Sequence, residues 1–282
     1  MGLMEQSNPT HDAYAPAQIA DRVCRIGLAK VRMPVATMIA LALLAGAFIS
    51  LGALFYTVTV TTGREASPVP FGLLRLAGGV TFSLGLVLVV VGGAELFTGN
   101  NLIAMAWAVG CVQTSQVIKN WVWVYLGNLL GAFGTVVLVL LAGVPALGDG
   151  AVGDTMVQIA RSKVALDPVS AVARGILCNV LVCLAVWLCM AARSVTDKIL
   201  AIVLPISAFV ACGFEHSVAN MFFLPLGIAL TASGADGLSW SGALMNLGLV
   251  TVGNLIGGTG LVALVYWFVY LRGDGMRPET QG

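Results

Sequence analysis

The chain has 282 residues, 59% of them hydrophobic and 10% charged, with a formal net charge of +1 and a mean hydropathy of +0.95. Soluble domains run nearer 45–50% apolar and about 25% charged, so this composition excludes an ordinary soluble globule and reads as an integral membrane protein. The near-zero charge offers no basic surface, and nucleic acid is not an expected partner.

Residues 1–33 are polar and read as a cytoplasmic segment without a cleavable signal peptide. Ile19, Val23, Ile26 and Met33 fall on one helical face that Asp21, Arg22, Arg25 and Lys30 mostly avoid. This is the pattern of an amphipathic helix, either lying at the membrane surface or packed on the spans. A span needs about 20 apolar residues. Six stretches qualify, near 34–60, 74–108, 117–141, 169–190, 198–230 and 244–270, and together they make 34–270 one six-span domain. Residues 271–282 are left as a short tail. The expected fold class is an all-α membrane protein.

Lys and Arg set orientation. One side collects Arg22, Arg25, Lys30, Arg32, Lys119, Arg193, Lys198, Arg272 and Arg277, and the other collects Arg64, Arg75, Arg161, Lys163 and Arg174. The excess puts both termini in the cytoplasm, which six spans allow. Cys24, Cys111, Cys178, Cys183, Cys189 and Cys212 lack CxxC or Cys/His spacing and read as reduced small hydrophobes, with no metal or other cofactor implied.

Two of the six stretches carry the same interruption. Gly93-Ala94-Glu95-Leu96-Phe97-Thr98-Gly99-Asn100 and Gly213-Phe214-Glu215-His216-Ser217-Val218-Ala219-Asn220 both read G-x-E-x-x-x-x-N. A carboxylate at bilayer depth is costly and usually marks a pathway. A second repeat, Gly127-Asn128-Leu129-Leu130-Gly131 and Gly253-Asn254-Leu255-Ile256-Gly257, falls in the third and sixth stretches. Residues 34–142 therefore correspond to 168–270. Three spans per copy is an odd number, so the second copy must enter the membrane inverted, with broken second and fifth helices meeting near the midplane. The GNLxG glycines suit close helix packing.

Within the breaks, Gly93, Gly99 and Gly213 release the backbone, and Asn100 and Asn220 suit the capping of restarting helices. Glu95 and Glu215 suit acceptance of hydrogen bonds from the unwound loops, because exposed carboxylates would repel an anion. His216 is the one histidine of the hydrophobic body. It is either a satisfied core residue or, beside Glu215 in a repeated break, a functional one. Thr98 offers a hydroxyl in the matching break. Phe82 and Leu86 share a helix face, and with Leu96 and Phe209 they suit either core packing or apolar gates.

These residues resemble the formate/nitrite transporter family. The likeness rests on FSLGL (82–86), GAELFTGN (93–100), KNW (119–121), VYLGN (124–128), VCLAVW (182–187), PISAFVACGFEHSVANMFFLP (205–225) and VGNLIGG (252–258). It implies an aquaporin-like fold in a bacterial inner membrane, a homopentamer with one pore per protomer, and formate or a similar monocarboxylate as cargo. It also implies His216 as the central pore histidine with Thr98 as its partner across the pore. Leu96 with Phe209 would form the cytoplasmic constriction, and Phe82 with Leu86 the periplasmic one. Lys163 would draw the anion into the outer vestibule, and Asn179 and Asn220 would support the path.

A carboxylate crosses a dry constriction at great cost as an ion, but not as a neutral acid. In water, proton transfer from histidine (about 6.5) to a carboxylate (about 3.5) is uphill by roughly 4 kcal/mol. A dry gate narrows that gap, because desolvation disfavours both charged forms. A proton-coupled, pH-gated formate channel follows as the expectation, with His11, Asp12 and Asp21 as candidates for sensing acid. A nitrite or hydrosulfide channel of the same family is the alternative. A membrane metal-dependent enzyme built on Glu95, Glu215 and His216 is more remote, since neither H-E-x-x-H nor a nucleophile–base pair is present.

Overall fold

The computed structural model describes residues 12–62, 69–231 and 238–272. His11, Arg64, Arg277 and the end of the tail lie outside the described residues. Within them all regular structure is helical. The chain runs α1 (Pro16–Arg32), α2 (Val35–Val60), α3 (Phe71–Gly92), a 3₁₀ turn (Gly99–Leu102), α4 (Ile103–Ala108), α5 (Thr114–Leu141), α6 (Ala151–Val164), α7 (Pro168–Ala191), α8 (Val195–Ala211), α9 (Ser217–Leu230), α10 (Trp240–Leu255), a π-helical stretch (Ile256–Ala263) and α11 (Leu264–Tyr270).

Five helical stretches are long and apolar enough to cross a membrane: α2, α3, α5, α7 and the continuous run Trp240–Tyr270. The candidate at 198–230 is divided between α8 and the shorter apolar α9. Leu130, Leu138, Leu141, Leu188 and Leu204 stand exposed along these helices. So much outward apolar surface suits lipid rather than water.

Helix ends follow their start and stop signals. Pro168 opens α7, and the Asp167 carboxylate accepts from the Ser170 N–H at 3.0 Å. Ser194 caps α8 by accepting from Asp197 N, and Ser239 caps α10 by accepting from Gly242 N, both at 3.1 Å. The apolar face of α1 is not left on a membrane surface. Ile19 and Val23 are buried with Leu102, Met105 and Trp187, so the helix packs on the spans.

The stretch around Lys163, which falls between the expected third and fourth spans, is the helix α6. Its Met156 and Ala160 pack so tightly on α9 that a Cβ on Gly227 would collide with the Ala160 methyl. With Asp154, Arg161 and Lys163 in its 14 residues, the helix is too polar to stand out in a search for apolar spans.

The GNLxG glycines lie in two matching seams. A Cβ on Gly131 would strike the Leu43 carbonyl of α2, and one on Gly257 would strike the Ile176 carbonyl of α7. Such small-residue seams let helices approach where lipid supplies no hydrophobic drive. Gly134, one turn from Gly131, has nothing within 4 Å of its Cβ position. Gly131→Ala is therefore expected to destabilise the detergent-solubilised protein by about 1–3 kcal/mol, the cost of overpacking. Gly134→Ala should be neutral or raise the melting temperature slightly. Thermal unfolding of the two variants side by side checks this.

Candidate pore site

Helix α3 stops where Gly93 turns left-handed at φ 82, and α8 stops one residue before Cys212, with Gly213 left-handed at φ 73. In each case the next N–H reaches five residues back. Ala94 donates to Val89 O at 2.9 Å and Phe214 to Phe209 O at 3.0 Å, closing the same C-terminal motif. Helical backbone resumes at Gly99 after the first stop and at Ser217 after the second.

The extended residues between are held by one hydrogen-bond scheme used twice. Glu95 N donates to Leu41 O, and Glu215 N donates to Arg174 O, both at 3.2 Å. Asn128 accepts from Phe97 N (2.9 Å) while its amide donates to Ala42 O (2.8 Å) and Glu95 O (2.9 Å). Asn254 accepts from Ser217 N (2.9 Å) while its amide donates to Gly175 O (2.8 Å) and Glu215 O (2.9 Å). The asparagine of each GNLxG copy thus satisfies the unwound backbone that glycine alone would leave bare. Sequence reading gave this task to Asn100 and Asn220, and the structure corrects it. Their side chains instead bond to carboxylates and to a further asparagine, and His216 is the residue that caps α9.

The carboxylates are paired with lysines, not with loop N–H groups as the sequence suggested. Lys30 of α1 donates to Glu95 (2.6 Å) and to Asn100 (2.8 Å), and Asn100 donates to Glu95 and Asn120. Lys163 of α6 donates to both Glu215 oxygens (2.9 and 3.0 Å), and Asn220 donates to Glu215 and Asn246. Glu95 is 5% and Glu215 4% exposed, which makes pairing obligatory. The role of Lys30 escaped sequence reading, where it counted only as a surface charge. No spacing links it to a residue so far along the chain.

His216 is 2% exposed and Thr98 is fully buried. The His216 Nδ1 accepts from Ala219 N at 3.1 Å, so in the neutral ring Nε2 carries the hydrogen. That nitrogen lies 3.0 Å from the Thr98 hydroxyl oxygen. With Nε2 donating to it, the hydroxyl keeps its own hydrogen for another acceptor. Alignment of the two motifs sets Leu96 against His216 and Thr98 against Val218. The copies meet with the polar member of each pair facing the other. Asn179 sits behind Thr98, bonded to Asn254 O (2.7 Å), Asn101 (2.8 Å) and Thr98 O (3.4 Å). Thr98, Asn179 and Asn220 are fully buried and line neither of the two cavities beside the breaks, whereas His216 borders the larger one.

One cavity, of about 210 Å³, is lined by Lys30, Gly93, Glu95, Leu96, Gly99, Asn100 and Leu86. The other, of about 430 Å³, is lined by Arg75, Lys163, Arg174, Gly213, Glu215, His216, Phe82 and Phe209. The early part of α3 borders the larger cavity and its end the smaller, so the two open from opposite ends. The expected pairing of Leu96 with Phe209 and of Phe82 with Leu86 is corrected here. The Phe82 and Phe209 rings meet edge to face at 5.5 Å on the larger cavity, and Phe209 stacks 6.0 Å from His216. Leu86 and Leu96 border the smaller cavity. Residues four apart share a face but differ in depth by one turn, about 5–6 Å, so Phe82 and Leu86 serve opposite sides of the histidine.

A family model described as formate/nitrite transporter matches residues 17–268. The formate channel FocA of Escherichia coli K12 is 43% identical over 284 aligned positions, covering 95% of this chain and 98% of that one. Among solved structures, a pentameric formate channel with formate bound superposes with a TM-score of 0.78 at 37% identity, covering 84% of this chain and 98% of that one. An FNT family ion channel gives 0.80 at 27% identity, with coverage of 89% and 98%. These likenesses run through both motif copies, and the chain is a multi-pass membrane protein that belongs to the formate/nitrite transporter family.

Proposed function

We propose that this protein is a channel passing formate and similar small monocarboxylates through each protomer. The observation that carries the reading is the buried Thr98–His216 contact between two cavities, screened by Leu86 and Leu96 on one side and Phe82 and Phe209 on the other. The names of its relatives support formate as cargo, and the pentameric neighbour supports a homopentamer.

The architecture that fits is six spans, two of them interrupted at the glutamate motifs, in two inverted halves spanning 34–142 and 168–270. The doubled hydrogen-bond scheme supports the repeat. The Lys and Arg excess supports cytoplasmic termini in a bacterial inner membrane, with the Lys30 cavity facing inward and Lys163 in the outer vestibule.

In this mechanism the anion enters a vestibule, loses water between the Phe82 and Phe209 rings, and meets the Thr98 hydroxyl. His216 Nε2–H holds that hydroxyl oxygen so its hydrogen points at the cargo. A hydrogen bond to a charged acceptor contributes about 1.5–3 kcal/mol, which offsets part of the desolvation in the constriction. Asn128, Asn254 and the two lysine–glutamate pairs keep the breaks rigid, so the donors cost no reorganisation when the anion arrives.

Purified protein in liposomes should carry formate faster than nitrite or hydrosulfide at equal concentration. Formate flux at or below that of empty liposomes would overturn the reading. Faster nitrite or hydrosulfide flux would reassign the cargo within the family.

A further inference from the structure

We infer that Arg75 and Arg174 form an anion-capture site at the rim of the larger cavity, taking small carboxylates and inorganic oxyanions before they reach Lys163. The site rests on the anion-transport reading and adds a station to it.

The two guanidinium groups converge on the Gly213 turn. A Cβ built on Gly213 would lie 3.3 Å from Arg75 Nη2 and 3.9 Å from Arg174 Nη1. Arg75 is fixed by three hydrogen bonds, to Ala211 O (3.0 Å), Val210 O (2.6 Å) and the Tyr56 hydroxyl (3.2 Å). It satisfies the carbonyls at the end of α8, whose dipole favours a cation there, and no carboxylate pairs with it among the described residues. Arg174 has no such employment. Its one hydrogen bond is a long 3.4 Å contact with Gly213 O. Among the described residues the ion pairs are Arg25–Asp21, Lys30–Glu95 and Lys163–Glu215, so neither arginine faces a carboxylate there.

A guanidinium carries five N–H donors in a fixed fork suited to carboxylates and oxyanions. Most of the Arg174 fork is unspent and borders the cavity. The charged side chains lining this cavity are Arg75, Arg174, Lys163 and Glu215, an excess of positive charge, whereas the smaller cavity has Lys30 against Glu95 alone.

The repeat isolates the feature. Glu215 N donates to the Arg174 carbonyl as Glu95 N donates to the Leu41 carbonyl, so these two residues hold equivalent posts. The backbone task is the same at both, and only the side chain differs. The guanidinium on the larger cavity is not required by the scaffold, since leucine, which borders neither cavity, fills the same post in the other copy. It loads capture onto the Lys163 side, since a cleft lined by one sign of charge concentrates counter-ions.

The test measures initial formate uptake at low ionic strength in right-side-out and inverted membrane vesicles, each presenting one mouth. Arg174→Leu should raise the half-saturating formate concentration about three- to tenfold in one orientation only, with maximal flux kept. Arg174→Lys should recover part of the loss. Sulfate should compete with formate at the Arg174 mouth of the unaltered protein and lose that effect in Arg174→Leu. If Arg174→Leu does not accumulate, Arg174→Gln and sulfate competition on the unaltered protein carry the test. Half-saturation within twofold in both orientations, or an equal shift in both, would overturn the site. Absence of formate uptake by the unaltered protein would instead overturn the transport reading.

Discussion

Replacing His216 by asparagine should leave a folded protein that carries formate about 10- to 100-fold more slowly, the cost of one hydrogen bond to a charged group. The choice of asparagine separates two jobs that one ring performs. Nδ1 caps α9 through Ala219 N, and Nε2 reaches Thr98. Asparagine is among the best N-cap residues, so the cap survives. Its shorter side chain has nothing to offer at the Nε2 position. His216→Phe, by contrast, keeps a ring beside Phe209 but loses the cap, and should lose about 1 kcal/mol of stability as well as flux. Thr98→Val removes the other partner at nearly constant volume, and combined with His216→Asn it should cost little beyond either change alone. Flux of His216→Asn within twofold of the unaltered protein between pH 5 and pH 8 would return the histidine to the role of a capped core residue.

What the sequence disclosed, and what it hid, divides by range. The glutamate motifs were legible because a carboxylate inside apolar sequence is conspicuous wherever it lies, and because each motif occurs twice. The stops of α3 and α8 at left-handed glycines follow from local chemistry. The lysine–glutamate pairs were not legible. Lys30 and Glu95 are distant in the chain, and no periodicity connects α1 to the first break. The capping asparagines escaped for the same reason. Asn128 and Asn254 stand in helices that looked merely well packed, and their amides matter only once α5 and α10 lie beside the unwound loops. The gate pairing failed on depth rather than identity: a shared face says nothing about which side of the histidine a residue serves. The π-helical stretch at Ile256–Ala263 was also unannounced. It lies where Gly258 crowds Asn101 and Asn179, a constraint imposed by tertiary packing.

Loss of Glu215 should be the most damaging single change to stability, at about 3–5 kcal/mol for Glu215→Ala, because it strands a lysine in the interior. The Lys163 side chain is 12% exposed, and its hydrogen bonds run to Glu215. The matching change, Glu95→Ala, should cost less. The Lys30 side chain is 24% exposed and keeps Asn100 as a second acceptor at 2.8 Å. Removing both partners distinguishes the stranded charge from the net worth of the pair. Lys163→Met with Glu215→Gln should recover most of the loss, since neither buried ion then remains and glutamine still accepts from Asn220. Thermal unfolding in one detergent, read for the two single glutamate variants and this double variant, gives the order. A Glu215 variant as stable as the unaltered protein would mean that water reaches Lys163 and that no charge is stranded. The carboxylates would then serve the cavities rather than the scaffold, and the rigid breaks on which the Thr98–His216 geometry depends would need another support.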